Sequence, residues 1–272
     1  VTLIDTHAHL ADAAFDADRD DVLRRAREAG VGVVVEIGEE EPRWPKARAL
    51  ADRFPGVVFW CAGFHPYYAG QADEGLVARL RAALSHPACV GVGEIGLDYH
   101  RPDPAPEVQR RVFAALARAA LEAGKPLVLH CRDAAGEERA QRDVLDVLDA
   151  VGASQGPAPV GVAHCFQGTI DNARRFVERG FLIGVDAPIT YPKAAALRAM
   201  IATVPLTALV LETDCPYLPP QSHRGKRNEP AHVPAVAAAL SALLGAPPED
   251  VAAATTRNAR RLYRLPEGAT AH

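Results

Sequence analysis

The sequence predicts a single-domain (β/α)8 barrel spanning residues 1–272, and three observations carry that expectation. Eight short apolar runs of β-forming residues recur along the 272 residues. Stretches of helical periodicity separate them, which is the order of a parallel barrel of about 250 residues. Finally, six of the eight runs end in, or lead into, a His, Glu or Asp. Periodicity alone also admits a doubly wound open sheet.

The runs, in order, are Thr2–Ile4, Val31–Ile37, Val57–Ala62, Val90–Glu94, Leu127–His130, Val160–Ala163, Phe181–Val185 and Ala208–Leu211. Between the first two, Leu23 and Ala26 mark a helical face; Leu76, Val77, Leu80 and Leu84 mark another. Val108, Val112, Leu116 and Ala120 form an i, i+4 stripe with Arg110, Arg111, Arg118 and Glu122 off it, stopped by Gly124 and Pro126. Val144, Leu145, Leu148 and Val151 repeat the pattern before Gly152. After Asp214, Cys215 to Pro230 reads as a long loop above the last strand, followed by helices around Val233–Leu244 and Pro248–Tyr263. No linker or longer repeat divides the chain.

The bulk numbers narrow the function. The chain is 49% hydrophobic and 24% charged, with a net charge of −4, which argues against coating nucleic acid by bulk electrostatics. No apolar run approaches the roughly 18 residues that span a bilayer, and no basic-then-apolar leader is read. Five cysteines without a CxxC pair argue for reduced thiols. The expectation is a cytoplasmic protein, monomeric, without membrane contact. Cys131, Cys165 and Cys215 each follow a residue singled out below, and strand alternation turns them away from that site.

The stretch VTLIDTHAHL places His7 and His9 on one side of a strand, about 7 Å apart along the chain. Two imidazoles so placed can converge on one divalent ion. The other strand ends add His65 in GFHP, Glu94 in GVGEIGLDY, His130 in LVLH, His164 in GVAH and Asp214 in LVLETDCP. In a barrel all these ends surround one mouth. Each residue alone has a structural explanation; as a set they point to a metal site. Mixed His and carboxylate ligands suit Zn²⁺, Mn²⁺ or Mg²⁺. His7, His9, Glu94, His130, His164 and Asp214 exceed what one tetrahedral ion needs, so the reading is two divalent metal ions bridged by Glu94. Such a pair activates water for a displacement, with Asp214 orienting the water and accepting its proton.

The segments IDTHAHL, GFHP, GEIGLDYHR, Gln109 with Phe113, PLVLHCRDA, HCF, ETDCPYLPP, Arg227-Asn228-Glu229-Pro230 and Asn258 together resemble the TatD family of metal-dependent deoxyribonucleases, among amidohydrolase-like barrels. The resemblance implies a TIM barrel with His7, His9, Glu94 and Asp214 at one metal, and Glu94, His130 and His164 at the other. It places His65 against the scissile phosphate. The activity implied is phosphodiester hydrolysis, usually as a 3′→5′ exonuclease on single-stranded DNA, with abasic-site cleavage in some members. Gln167 stands where the family often has Ser, and Leu116 where it often has Gln; neither replaces an expected ligand.

The expected βα loops at the mouth carry Arg101, Arg132, Arg224, Lys226 and Arg227 for phosphates, and Tyr67, Tyr68, Tyr99, Phe166 and Tyr217 for stacking on bases. Of these, Arg132, Arg101, Tyr99 and Arg227, with His65, are the expected substrate contacts. Two other readings stand beside the nuclease: a lactonase, amidase or deaminase on the same barrel, and a barrel that binds metal without catalysis. The first commonly bridges its metals with a modified Lys on strand four, where this chain has Glu94.

Overall fold

A computed structural model describes residues 2–154, 156 and 158–266. Eight parallel strands pair in chain order: β1 (Leu3–Ala8), β2 (Val31–Gly38), β3 (Val58–Ala62), β4 (Cys89–Asp98), β5 (Leu127–Arg132), β6 (Gly161–Ala163), β7 (Phe181–Val185) and β8 (Leu209–Leu211). The strands are buried nearly throughout, as a sheet covered on both faces requires. Around them run α1 (Arg19–Glu28), α2 (Trp44–Arg53), α3 (Leu76–Leu84), α4 (Pro106–Glu122), α5 (Arg139–Ala150), α6 (Ile170–Glu178), α7 (Ala195–Ile201), α8 (Val233–Leu244) and α9 (Pro248–Tyr263). The barrel closes between β8 and β1. There Asp214 N donates to His7 O at 2.9 Å and His9 N to Cys215 O at 2.8 Å.

All eight expected strands form, and four run past the C-terminal ends of their apolar runs: β2 by one residue, β5 by two, and β1 and β4 by four. β1 continues through Asp5, Thr6 and His7 because their polar groups have partners at the seam. Asp5 accepts from Thr213 N at 3.0 Å and from Thr213 Oγ1 at 2.6 Å, and Thr6 Oγ1 donates to Leu211 O at 3.0 Å. β4 continues four residues past Glu94, so Glu94 lies inside a strand rather than at its tip. The extension depends on close backbone approach. A Cβ on Gly63 would stand 2.1–2.3 Å from the Gly93 carbonyl and the Glu94 nitrogen.

Helices α2, α6 and α7 carry no stripe that the periodicity reading picked out. α2 buries only Trp44, Ala47, Leu50 and Ala51, and α6 only Asn172, Ala173 and Phe176. One turn or two of apolar contact suffices once a barrel supplies the other surface.

The last helix braces the seam from below. Tyr263 Oη donates to Thr6 O at 3.0 Å, and Asn258 Nδ2 to Leu206 O at 2.9 Å and Leu209 O at 2.8 Å. The Cys215–Pro230 loop is tied down through Asn228, whose side chain donates to Thr213 O at 2.8 Å and Leu218 O at 3.2 Å. Among the described residues, no single helix is long and apolar enough to cross a membrane.

Candidate metal centre

Strand alternation brings the ligand residues to one end of the barrel, where they form two touching clusters. In the first, His9 Nε2 lies 3.3 Å from His7 Nε2 and 3.3 Å from Asp214 Oδ1. His164 Nε2 lies 3.6 Å from the same Asp214 oxygen, and His7 Nε2 lies 3.5 Å from Glu94 Oε2. In the second, Glu94 Oε1 lies 2.6 Å from His130 Nδ1 and 3.8 Å from His65 Nε2. Asp214 reaches its place through a left-handed backbone, φ +56°, uncommon outside glycine.

The donor set fits divalent cations. Ligand bonds of about 2.1 Å at a tetrahedral angle put neighbouring donor atoms roughly 3.4 Å apart, the spacing found here. His7 Nε2 and His9 Nε2 face each other across such a gap, an approach that an ion between them would relieve. The buried Nδ1 atoms of His7, His9 and His164 have no hydrogen-bond partner.

Tautomers sort the histidines. His9 Nδ1 faces Glu39 Oε2 at 3.8 Å and His164 Nδ1 faces Glu212 Oε1 at 3.0 Å, so when either ring is neutral the nearby negative charge favours the proton on Nδ1 and the Nε2 lone pair faces the cluster. His130 is turned the other way: Nε2 faces Asp98 Oδ2 at 2.9 Å and Nδ1 faces Glu94. His65 differs from all three. Its Nδ1 accepts the Tyr67 amide at 3.1 Å, so the neutral ring carries its proton on Nε2. A protonated nitrogen cannot ligate a metal. His65 is thus built to donate.

Burial by itself would lower the pKa of each imidazole, and the carboxylates decide the outcome. Against burial, Asp214, Glu39 and Glu94 push His9 up to about 9; Asp98 and Glu94 push His130 up to about 9; Glu212, Asp214 and Glu94 push His164 up to about 10. His7 is lowered, by burial and then by the charge of His164. His65 falls to about 3, by burial and the neighbouring His130. Burial would raise Glu94 and Asp214, but their histidines hold both below the usual carboxylate range.

Seven groups from six strands do meet at one mouth, with one regrouping. His164 does not join Glu94 and His130 but stacks on His7, ring centroids 3.4 Å apart, beside Glu212. Glu212, Asp98 and Glu39 join the site although none stands among the expected ligands. Glu212 stands two residues from Asp214, Asp98 four from Glu94, and both lay inside the quoted motifs; Glu39 carries no such signal.

The loops divide the expected substrate contacts. Arg101 is exposed, its guanidinium 3.9 Å over the Tyr67 ring, and Tyr67 packs edge-on to His65 at 4.4 Å. Arg132 is exposed at the end of β5. The Tyr67 phenol is raised by burial and Asp98, against the opposing charges of Arg101 and Arg132. Tyr217 is 49% exposed, with its ring 5.9 Å from His9.

Tyr99 and Arg227 are engaged elsewhere. The Tyr99 hydroxyl donates to Asp143 at 2.7 Å. Arg227 donates to both Asp18 oxygens at 2.8 Å and to Ala14 O at 2.6 Å, and lies 4.6 Å over Phe15. It fastens the Cys215–Pro230 loop instead of offering free donors. Phe166 is buried against Phe176. All five thiols are free, and Cys165 departs from the expected inert packing, with Sγ donating to Asp186 at 2.9 Å.

A family model for TatD related DNase matches residues 4–264. The uncharacterised metal-dependent hydrolase YabD of Bacillus subtilis is 34% identical over 263 residues, covering 97% of this chain and 99% of that one. The 3′-5′ ssDNA/RNA exonuclease TatD of Erwinia billingiae is 33% identical over 269 residues, covering 97% and 100%. The crystal structure of YjjV, a TatD homologue from Escherichia coli K12, matches at a TM-score of 0.88 and 32% identity, covering 97% and 98%. The chain belongs to the TatD-related DNase family of metal-dependent hydrolases.

Proposed function

We propose that this hydrolase cleaves phosphodiesters with two divalent metal ions, Mg²⁺, Mn²⁺ or Zn²⁺, and removes nucleotides from the 3′ end of single-stranded DNA. The observation that carries the reading is the position of Glu94. Its Oε2 faces His7 and its Oε1 faces His130, so one carboxylate serves both clusters. In this reading His7, His9 and Asp214 hold one ion with Glu94, and His130 holds the other with Glu94. His164 serves the first cluster, beside Asp214.

When bound, the cations supply positive charge to the reacting phosphate and acidify the attacking water. The chain's own groups do the rest. Asp214, kept ionised by its histidines, accepts the proton of the water. His65, neutral with its proton on Nε2, donates to a non-bridging phosphate oxygen. Arg101, stacked on Tyr67, and Arg132 neutralise flanking phosphates, and Tyr217 offers a ring face to unpaired bases. The name carried by the Erwinia relative supports the polarity and the single-stranded substrate. No lysine lies on β4, which weighs against the carbamate-bridged lactonase or amidase arrangement.

The test is hydrolysis of an end-labelled single-stranded oligonucleotide after chelation and re-addition of each metal, with Asp214→Asn alongside. A metal-dependent ladder shortening from the 3′ end, lost in the variant, is expected. A protein that binds two ions per chain and cuts no oligonucleotide discards the substrate and turns the search to lactones and amides.

A further inference from the structure

Glu212 takes no part in the chemistry above, yet three elements of the barrel are shaped around it. It directly follows β8 and is completely buried. Its Oε1 accepts the Cys165 amide at 2.6 Å and stands 3.0 Å from His164 Nδ1, at an angle that makes this contact electrostatic rather than a hydrogen bond. Its Oε2 has no partner. Gly184 on β7 makes the room: a Cβ there would lie 2.3–2.5 Å from the carboxyl atoms.

Burying a carboxylate is costly unless a cation or donor repays it, so the placement calls for a reason beyond packing. The geometry supplies one. The His164 ring is held between two carboxylates from one strand end, Glu212 at Nδ1 and Asp214 at Nε2, 3.0 and 3.6 Å away. Asp98 stands in the same relation to His130, at 2.9 Å from the nitrogen that faces away from Glu94. Carboxylates behind ligand histidines fix the ring's orientation and tautomer and raise its basicity.

We infer that Glu212 is a positioning residue for His164, and that Gly184 is kept without a side chain to admit it. The Glu212 charge beside Nδ1 favours the neutral ring's proton there and leaves the Nε2 lone pair directed at the first cluster. The inference rests on the reading of His164 as a metal ligand.

Mn²⁺ affinity of the full chain, measured by chelator competition, tests it in Glu212→Gln, His164→Gln, the double variant and Gly184→Ala. Gln keeps an acceptor for the Cys165 amide and removes the charge. Glu212→Gln is expected to weaken Mn²⁺ binding by about 10–100-fold in the wild-type background. In the His164→Gln background the same change is expected to cost under about two-fold, because its target is gone. Gly184→Ala displaces the carboxylate without removing it and is expected to weaken binding several-fold. It decides the matter alone if Glu212→Gln does not fold.

Wild-type affinity in Glu212→Gln, or in Gly184→Ala, overturns the inference. So does an equal penalty in both backgrounds, the mark of a carboxylate that only supports the fold. Full Mn²⁺ affinity in His164→Gln removes the ligand and the inference together. Oligonucleotide cleavage is scored separately, so a wrong substrate leaves these affinities, and the role of Glu212, untouched.

Discussion

His7 on β1 and His164 beyond β6 lie face to face, centroids 3.4 Å apart and planes 15° apart, with both Nε2 atoms directed at one oxygen of Asp214. Two buried imidazoles this close are not both charged. Burial and the neighbouring charge keep His7 neutral, while the negative charge of Glu212, Asp214 and Glu94 keeps His164 protonated. The pair is thus already half prepared for a cation, and the cost of completing it can be measured.

Metal binding should expel protons. At pH 7, His9, His130 and His164, at about 9, 9 and 10, are protonated without metal and must be neutral to ligate. Roughly three protons per chain should leave when both ions bind, one from each ring, read by calorimetry in buffers of different ionisation enthalpy. Release of fewer than one would show that these rings are already neutral before the metal binds.

The same shifts set opposite pH responses. Each imidazole is raised above 6.5, so its contribution to metal-free stability is complete below pH 6.5 and disappears as pH climbs through about 9 to 10. Metal-loaded protein should instead gain stability over pH 6–8 as competing protons leave. At free Mn²⁺ about 100-fold above Kd, linkage predicts ~2.7 kcal/mol, a rise of roughly 5–10 °C in Tm for a chain of this size. Thermal melts with metal and with chelator across that pH range check both signs.

His65 and Asp214 should separate donor from ligand. His65→Ala is expected to keep Mn²⁺ affinity within about two-fold while kcat falls by about 10²–10³, as for a lost oxyanion donor. Asp214→Asn is expected to lower kcat by about 10²–10⁴ and also to weaken metal binding. A large loss of metal affinity in His65→Ala would make His65 a ligand, against its tautomer.

Substrate contacts should carry the salt dependence. Arg101→Ala removes the guanidinium stacked on Tyr67 and is expected to raise KM for an oligonucleotide several-fold with kcat little changed. Raising salt should weaken oligonucleotide binding with a slope of about −0.7 per phosphate contacted, and hardly affect a small phosphodiester. Equal salt effects on both substrates would count against a groove that contacts several phosphates. Arg227→Ala, in contrast, breaks the tie to Asp18 and should lower stability more than it alters KM.

Gly63→Ala should destabilise by ~1–3 kcal/mol, since the new methyl must displace backbone rather than a side chain. The atoms it meets belong to Gly93 and Glu94, so metal affinity should fall with stability. Urea denaturation and Mn²⁺ titration of one sample would show the two losses together.

The barrel was legible because its determinants are local. Apolar runs fix the strands, and alternation with helices forces a parallel order; the ligand residues announce themselves by recurring at one point of each repeat. Chain order was equally enough to place His7, His9, His65, Glu94, His130, His164 and Asp214 at one mouth, since every strand of a parallel barrel ends on the same side. Only the tertiary structure decided how these groups pair. That His164 stacks on His7, that His65 carries its proton on Nε2, and that Glu212 stands behind His164 depend on Gly184, the Tyr67 amide and the closure of β8 on β1. The same holds for Tyr99 and Arg227, whose loop positions suggest contacts to a base and a phosphate and whose partners, Asp143 and Asp18, lie 44 and 209 residues away. Residue type and spacing bring an ionisable group to the site. Which atom it presents there is set by burial and by neighbours that are distant in sequence.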